Sequence, residues 1–251
     1  MRDADAAPGF RVLALDAVGS TNVEALARAE AGDPGNLWVV GKRQTAGRGR
    51  RARPWVSEPG NLYASLLLID PAPAERLGQL PLVAALALAE AVDHMCGTYR
   101  LAGLKWPNDL LVDGAKISGI LLEATTLGDG RRAVVCGFGL NLAHHPDLDD
   151  YAAVSLAGLG YAVSVERALA DLSASLADLL DRWSAGAFAE LRSAWLARAV
   201  GVGQPITVRF ETGARAGRFA GLDADGRLLL RRDDGTVEPI SAGDVFFSGS
   251  G

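Results

Sequence analysis

The pattern of apolar residues changes character at Pro205, and that change limits the fold more than any other feature of the chain. Upstream, long runs place apolar residues at helical spacing: Leu77, Leu80, Ala84, Leu88 and Val92 within 74–95, then similar runs over 165–183 and 188–199. Downstream come only short alternating segments, at 207–210, 215–222, 227–232 and 236–240, with tight turns at Asp225-Gly226 and Asp234-Gly235. The expected fold class is α+β: a mixed α/β domain over residues 1–202 and a small β-barrel over 203–251. Further strands are predicted at 10–16, 37–41, 62–69, 101–106, 109–112, 116–123 and 132–142, with Asp113-Gly114 as a hairpin turn. Thr21 and Glu24 fit a capping box opening a helix whose apolar stripe is Val23, Leu26 and Ala27. Residues 44–61, with Gly47, Gly49, Pro54, Pro59 and Gly60, read as a loop.

Charge excludes some function classes. The formal net charge is −5, whereas a general nucleic-acid binder carries an excess of Lys and Arg to neutralise phosphates. The two cysteines, Cys96 and Cys136, form no CxxC pair, which points to free thiols in a reducing compartment. Residues 1–9 have neither a basic start nor an apolar run, as a secretory signal would. The most apolar stretch, 80–92, contains Glu90 and is too short for a bilayer. The expectation is a cytoplasmic protein with no membrane or nucleic-acid partner.

Against that acidic background, Gly47-Arg48-Gly49-Arg50-Arg51-Ala52-Arg53-Pro54-Trp55 sets four arginines within six positions. Glycines let backbone amides approach a ligand, and arginine forks suit phosphate oxygens. The run also fits G-x-G-x-x-A, but a dinucleotide fingerprint must open a helix, and here Pro54 and more loop follow. On charge alone, a basic surface loop without a specific role remains open. Lysine occurs only at Lys42, Lys105 and Lys116, all close to motifs, while the other 22 basic residues are arginine.

Four more segments carry chemistry. Lys105-Trp106-Pro107-Asn108-Asp109 puts polar groups at a strand corner. In Lys116-Ile117-Ser118-Gly119-Ile120, strand alternation puts Lys116 on one face and Gly119 on the other. Gly119 in mid-strand suggests close approach by a ligand or backbone, and an inward Lys116 would need an anion; a lysine at a hairpin edge is the plain alternative. Ser20-Thr21-Asn22 at a helix start offers polar groups to a ligand, although capping alone accounts for these types. Gly137-Phe138-Gly139-Leu140-Asn141 again invites close approach.

In this order and spacing, Ser-Thr-Asn, Gln-Thr-Ala-Gly-Arg-Gly-Arg-Arg, Lys-Trp-Pro-Asn-Asp, Lys-Ile-Ser-Gly-Ile-Leu-Leu-Glu and Gly-Phe-Gly-Leu-Asn resemble the biotin protein ligase family over nearly the whole chain. The resemblance implies a mixed sheet flanked by helices, like class II aminoacyl-tRNA synthetase cores, plus an SH3-like C-terminal barrel. It implies that biotin and Mg-ATP give biotinyl-5'-AMP, and that biotin passes to a lysine of a biotin carboxyl carrier protein domain. By position, Ser20, Thr21, Asn22 and Gln44 would line the biotin pocket. Arg48, Gly49 and Arg50 would close over it, and Gly119 would border it. Lys116 would meet the biotin carboxyl and α-phosphate, sharing the catalytic role with Arg50. Arg51, Arg53, Trp55, Asn108 and Asn141 would lie on the nucleotide side.

Ala52 stands where many relatives have a third glycine, which bears on loop dynamics only. Some relatives carry an N-terminal DNA-binding domain, for which the few residues before the first strand leave no room. Metal ligands stay unassigned, and monomer and homodimer both stay open. A lipoate ligase and a catalytically silent binding protein are the alternatives.

Overall fold

The computed structural model describes residues 6–147 and 151–247. The N-terminal reading for 1–5 and the end of the predicted barrel, 248–251, lie outside the described residues. A seven-stranded mixed sheet has the order β1 (Arg11–Leu15), β2 (Leu37–Gly41), β3 (Leu62–Ile69), β7 (Arg132–Leu140), β6 (Ala115–Thr126), β5 (Asp109–Val112) and β4 (Gly103–Lys105). Only β1 and β2 run parallel, joined by helix α1 (Thr21–Glu30); the other neighbours are antiparallel. The β5–β6 turn has Asp113 at φ 49° and Gly114 at φ 82°, the two left-handed residues of a type I′ hairpin that Asp-Gly favours.

Strand alternation sorts the sheet's two faces. Trp38, Val40, Ala64, Leu66, Leu68, Val134, Cys136 and Phe138 point to the main core, under α2 (Leu80–Cys96), α3 (Val165–Ser184) and α4 (Phe188–Arg198). Leu37, Val39, Leu67, Ala133 and Val135 point the other way, beneath Ala25 and Ala29 of α1. Along β7 this second face turns from Ala133 and Val135 to Gly137 and Gly139, so the apolar cover of α1 gives way to a bare floor.

The helix-start prediction needs correcting. Ser20 is the N-cap residue, no side chain caps the helix, and Glu24 instead pairs with Arg28. The buried stripe is Thr21, Asn22, Ala25 and Ala29, while Val23 is exposed. Small and polar residues face inward because α1 lies over the glycine-bearing floor, where large side chains have no room.

The second sheet has the order β11 (Val237–Ile240), β10 (Leu228–Arg231), β9 (Gly213–Leu222), β8 (Pro205–Phe210) and β12 (Asp244–Phe247), all antiparallel. Strand β12 escaped the sequence reading because Asp244-Val245-Phe246-Phe247 sets three apolar residues in a row with no alternation and no tight-turn dipeptide before it. Its inward side chains, with Phe219, Leu230 and Ile240, join the same core as Leu82 and Phe188. The helical run Ala74–Cys96 exceeds the apolar stretch assigned from sequence. By length and composition it could cross a membrane, yet 67% of its most apolar window is buried within the protein, as in a core helix. Cys136 is buried, Cys96 is half-buried, and both are free.

Candidate active site

The floor of the site follows from strand register. Residues directly opposite in antiparallel strands share a face. One row across β3, β7 and β6 is Ser65, Gly137 and Leu121; the next is Tyr63, Gly139 and Gly119. A side chain at Gly137 would fall on Asn22 Oδ1, and one at Gly139 would come within 2.5 Å of the Trp55 ring. The glycines therefore make room for Asn22 over the first row and Trp55 over the second. Above them opens a cleft of about 680 Å³, walled by the start of α1, the arginine loop, the Lys105–Asp109 corner and β12.

At the α1 end the groups of Ser20, Thr21, Asn22 and Gln44 that face the cleft are uncharged, with the Glu123 carboxylate behind them. The Thr21 amide and hydroxyl donate to Gln44 Oε1 at 2.9 and 3.1 Å, and Gln44 Nε2 donates to Ser57 at 3.0 Å. The Ser65 hydroxyl lies 2.6 Å from Asn22 Oδ1 and 2.7 Å from Thr21 Oγ1. Asn22 Nδ2 donates to Leu121 O and, at 2.8 Å, to Glu123 Oε2. Ser20 lines the cleft and its hydroxyl makes no cap bond. Capping therefore does not account for Ser20-Thr21-Asn22. A buried, interlocked set of neutral donors and acceptors suits a neutral polar ligand, because a charge placed there would lose its hydration without a counter-ion.

The cationic centre is Lys116. Its Nζ lies 2.7 Å from Asp109 Oδ1, with the rings of Trp55 and Tyr151 at 5.5 and 5.4 Å, close enough for cation–π attraction. Gly119 faces the same space: a side chain there would meet Lys116 Nζ at 3.3 Å. The expected separation of Lys116 and Gly119 onto opposite faces is therefore overturned. A β-bulge shifts the β5–β6 register, pairing Leu110 with Ser118 but Leu111 with Lys116, and the extra residue resets the alternation.

The arginine loop spans the cleft's mouth around a short 3₁₀ turn at Arg50–Ala52, with Arg51 and Ala52 both at φ 54°. No α-helix follows Gly49, only the single 3₁₀ turn, so this is not a dinucleotide fingerprint. Asp244 at the start of β12 gathers three of its arginines: Arg53 at 2.8 Å, Arg51 at 3.2 Å and Arg50 at 3.4 Å. Arg50 also donates to Asn108 Oδ1 and Gly243 O. Lys105 lies over the rings of Phe246 and Phe247. Burial pushes the pKa of Arg50 and of Lys105 below its ordinary value, opposed in both by Asp109 and Asp244. Cations held at such a desolvation cost favour an incoming anion.

Ser20, Thr21, Asn22, Gln44, Arg48, Gly49, Arg50, Arg53, Trp55, Asn108, Lys116 and Gly119 all line the cleft. Arg51 does not; it donates to Arg209 O on the C-terminal sheet. Nor does Asn141, which donates to Val154 O and borders a void of about 20 Å³ beside Trp55 and Lys116. Lys42 is exposed and paired with Asp16, away from the cleft. Sequence reasoning missed Ser65, Glu123, Asp109 as partner of Lys116, and Asp244. Two of these had a signal: Asp109 as the acid ending the Lys-Trp-Pro-Asn-Asp run, and Glu123 as the acid ending Lys-Ile-Ser-Gly-Ile-Leu-Leu-Glu. Among the described residues no group of three or more His, Cys, Asp or Glu could hold a metal.

Comparison with known proteins follows the same division of the chain. Residues 20–141 match the biotin/lipoate A/B protein ligase family and residues 201–248 match the biotin protein ligase C-terminal domain. The biotin–[acetyl-CoA-carboxylase] ligase of Paracoccus denitrificans is 44% identical over 92% of this chain and 98% of its own. The bifunctional ligase/repressor BirA of Bacillus subtilis is 30% identical over 94% of this chain and 74% of its own. Among solved structures, the biotin protein ligase of Aquifex aeolicus in complex with biotin and ATP matches with a TM-score of 0.81. It is 27% identical and covers 94% of this chain and 99% of its own.

Proposed function

The chain belongs to the biotin protein ligase family, and from that premise we propose how its cleft activates biotin with ATP and passes it to a carrier lysine. The observation that carries the reading is the adjacency of an uncharged hydrogen-bonding pocket at Thr21, Asn22 and Gln44 to a cationic wall of Lys116, Arg50 and Lys105 in one cleft. Biotin has that division: a neutral ureido ring at one end and a carboxylate at the other.

In this reading Ser20, Thr21, Asn22 and Gln44 hold the ring, with Gly119 bordering it. Arg48, Gly49 and Arg50 close over the ligand. The carboxylate oxygen attacks the α-phosphorus of ATP, the bond to pyrophosphate breaks, and biotinyl-5'-AMP forms. Two anions approach one another in that step, so fixed cations are needed where negative charge concentrates. Lys116 meets both partners once an anion draws it from Asp109, while Arg50 neutralises the phosphate. Closure keeps water from the mixed anhydride. The lysine amine of a biotin carboxyl carrier protein domain then attacks the carbonyl, and AMP leaves.

Arg53, Trp55 and Asn108 would line the nucleotide side, with Arg51 and Asn141 acting from just outside the cleft. Mg²⁺ accompanies ATP mainly on phosphate oxygens and water, and the cleft carboxylate of Asp109 fits the remaining oxygen-donor chemistry. When bound, the metal would neutralise phosphate charge.

The reading also takes the finer resemblances: a class II aminoacyl-tRNA synthetase-like sheet over 1–202, an SH3-like barrel over 203–251, and a cytoplasmic location. It includes neither nucleic-acid nor membrane binding, and leaves monomer or homodimer open. Biotin-dependent ATP–pyrophosphate exchange tests it. Exchange with biotin is expected; exchange with lipoate in its place would favour a lipoate ligase, and none with either a silent binding protein.

A further inference from the structure

Glu123 touches both halves of the site without lining the cleft. It stands on β6 opposite Val135, two residues beyond Leu121 on the same face, under the start of α1. One carboxylate oxygen, Oε2, accepts from Asn22 Nδ2 at 2.8 Å. The other, Oε1, accepts from Arg48 Nη2 at 2.8 Å across 75 positions of sequence. Asn22 belongs to the neutral pocket and Arg48 to the charged loop, and this is a direct side-chain link between them.

We propose that Glu123 is a positioning residue that couples filling of the pocket by biotin to closure of the arginine loop. The inference rests on the function proposed above. With Nδ2 held by Glu123 and Leu121 O, the Asn22 amide has a fixed orientation, its Oδ1 toward Ser65. A ligand that packs against Asn22 holds the carboxylate still, and the carboxylate holds Arg48. Both partners are donors, so only a group that accepts on both oxygens serves. A glutamine would aim its own N–H groups at one of them, which makes the isosteric change disruptive here.

The arginines themselves supply the readout, because trypsin cleaves after Arg48, Arg50 and Arg51 when the loop is open. In the wild type, biotin should slow that cleavage. In Glu123→Gln the biotin KM should rise about tenfold and biotin at saturation should no longer protect the loop, while the ATP KM and the melting temperature barely move. Arg48→Gln should lose the protection too, and the double variant should be no worse than the worse single one. Unchanged biotin KM and protection in Glu123→Gln would overturn the inference. So would a parallel rise in both KM values with a lowered melting temperature, the mark of a purely structural role. Should Glu123→Gln fold poorly, retained protection in Arg48→Gln would overturn it. A wild type lacking both biotin-dependent exchange and protection would instead sink the underlying reading, and the inference with it.

Discussion

The two walls of the cleft are built on opposite plans. At the start of α1, Thr21, Asn22, Gln44 and Ser65 are uncharged, largely buried and hydrogen-bonded to one another, resting on strands of the central sheet. Across the mouth, the arginine loop is charged and mostly exposed, turns through two left-handed residues, and is anchored by Asp244 from the other sheet. The first wall is shaped before a ligand arrives. The second is held by ion pairs that an incoming anion can compete for. In the reading proposed above, recognition of a neutral ring falls to the first wall, and handling of charge to the second together with Lys116 of the central sheet.

Removing charge should have the largest effect. Lys116→Ala and Arg50→Ala should each lower biotin-dependent pyrophosphate exchange by roughly 10²-fold or more, the range seen when one transition-state charge contact is deleted. Full exchange in either variant would break the assignment of charge handling to Lys116 on the sheet and Arg50 on the loop.

A change to the rigid wall should act on binding instead. Gly137→Ala drives a methyl onto Asn22 Oδ1, so the biotin KM should rise by about tenfold or more, with stability falling by about 1–3 kcal/mol. If ATP and biotin KM values rose together, the two walls would not be separate in function.

Asp244→Ala should be milder. Its ion pairs involve partly exposed arginines, each pair contributing up to about 1 kcal/mol. A few-fold loss of exchange and faster tryptic cleavage of the loop are expected, with the wild type shifting toward the variant as salt is raised. The smallest effect belongs to Ala52→Gly. Relieving a left-handed alanine at φ 54° should stabilise this loop conformation by up to about 1 kcal/mol in denaturant unfolding, with little change in rate.

The same contrast explains what could be read without coordinates. The arginine loop is conspicuous in sequence because four like charges crowd one segment, yet its anchor is hidden: Asp244 lies on a four-residue strand nearly two hundred positions away. The rigid wall is the reverse. Ser20-Thr21-Asn22 fits either a helix cap or a polar-ligand site by residue type, and only the fold shows that the Ser20 side chain makes no cap bond while Thr21 and Asn22 bond elsewhere. Ser65 and Glu123 sat within strands whose alternation says which face a residue takes but not what lies opposite. Lys116 and Gly119 were assigned to opposite faces because a bulge leaves no mark in an apolar alternation. Strands and helices were largely legible, since each rests on local periodicity. The site was legible where local composition was unusual and illegible where it depended on distant pairing.

The division of labour has one direct test, in which the ligand loses its charge. Calorimetric binding of biotin and of its alcohol analogue, the carboxylate replaced by a hydroxymethyl group, can be measured on the wild type and on Lys116→Ala. The account predicts that the substitution weakens biotin by about tenfold, the scale of one charged hydrogen bond, and leaves the alcohol unchanged. An equal loss for both ligands would contradict it, because Lys116 would then be supporting the pocket and not meeting the carboxylate.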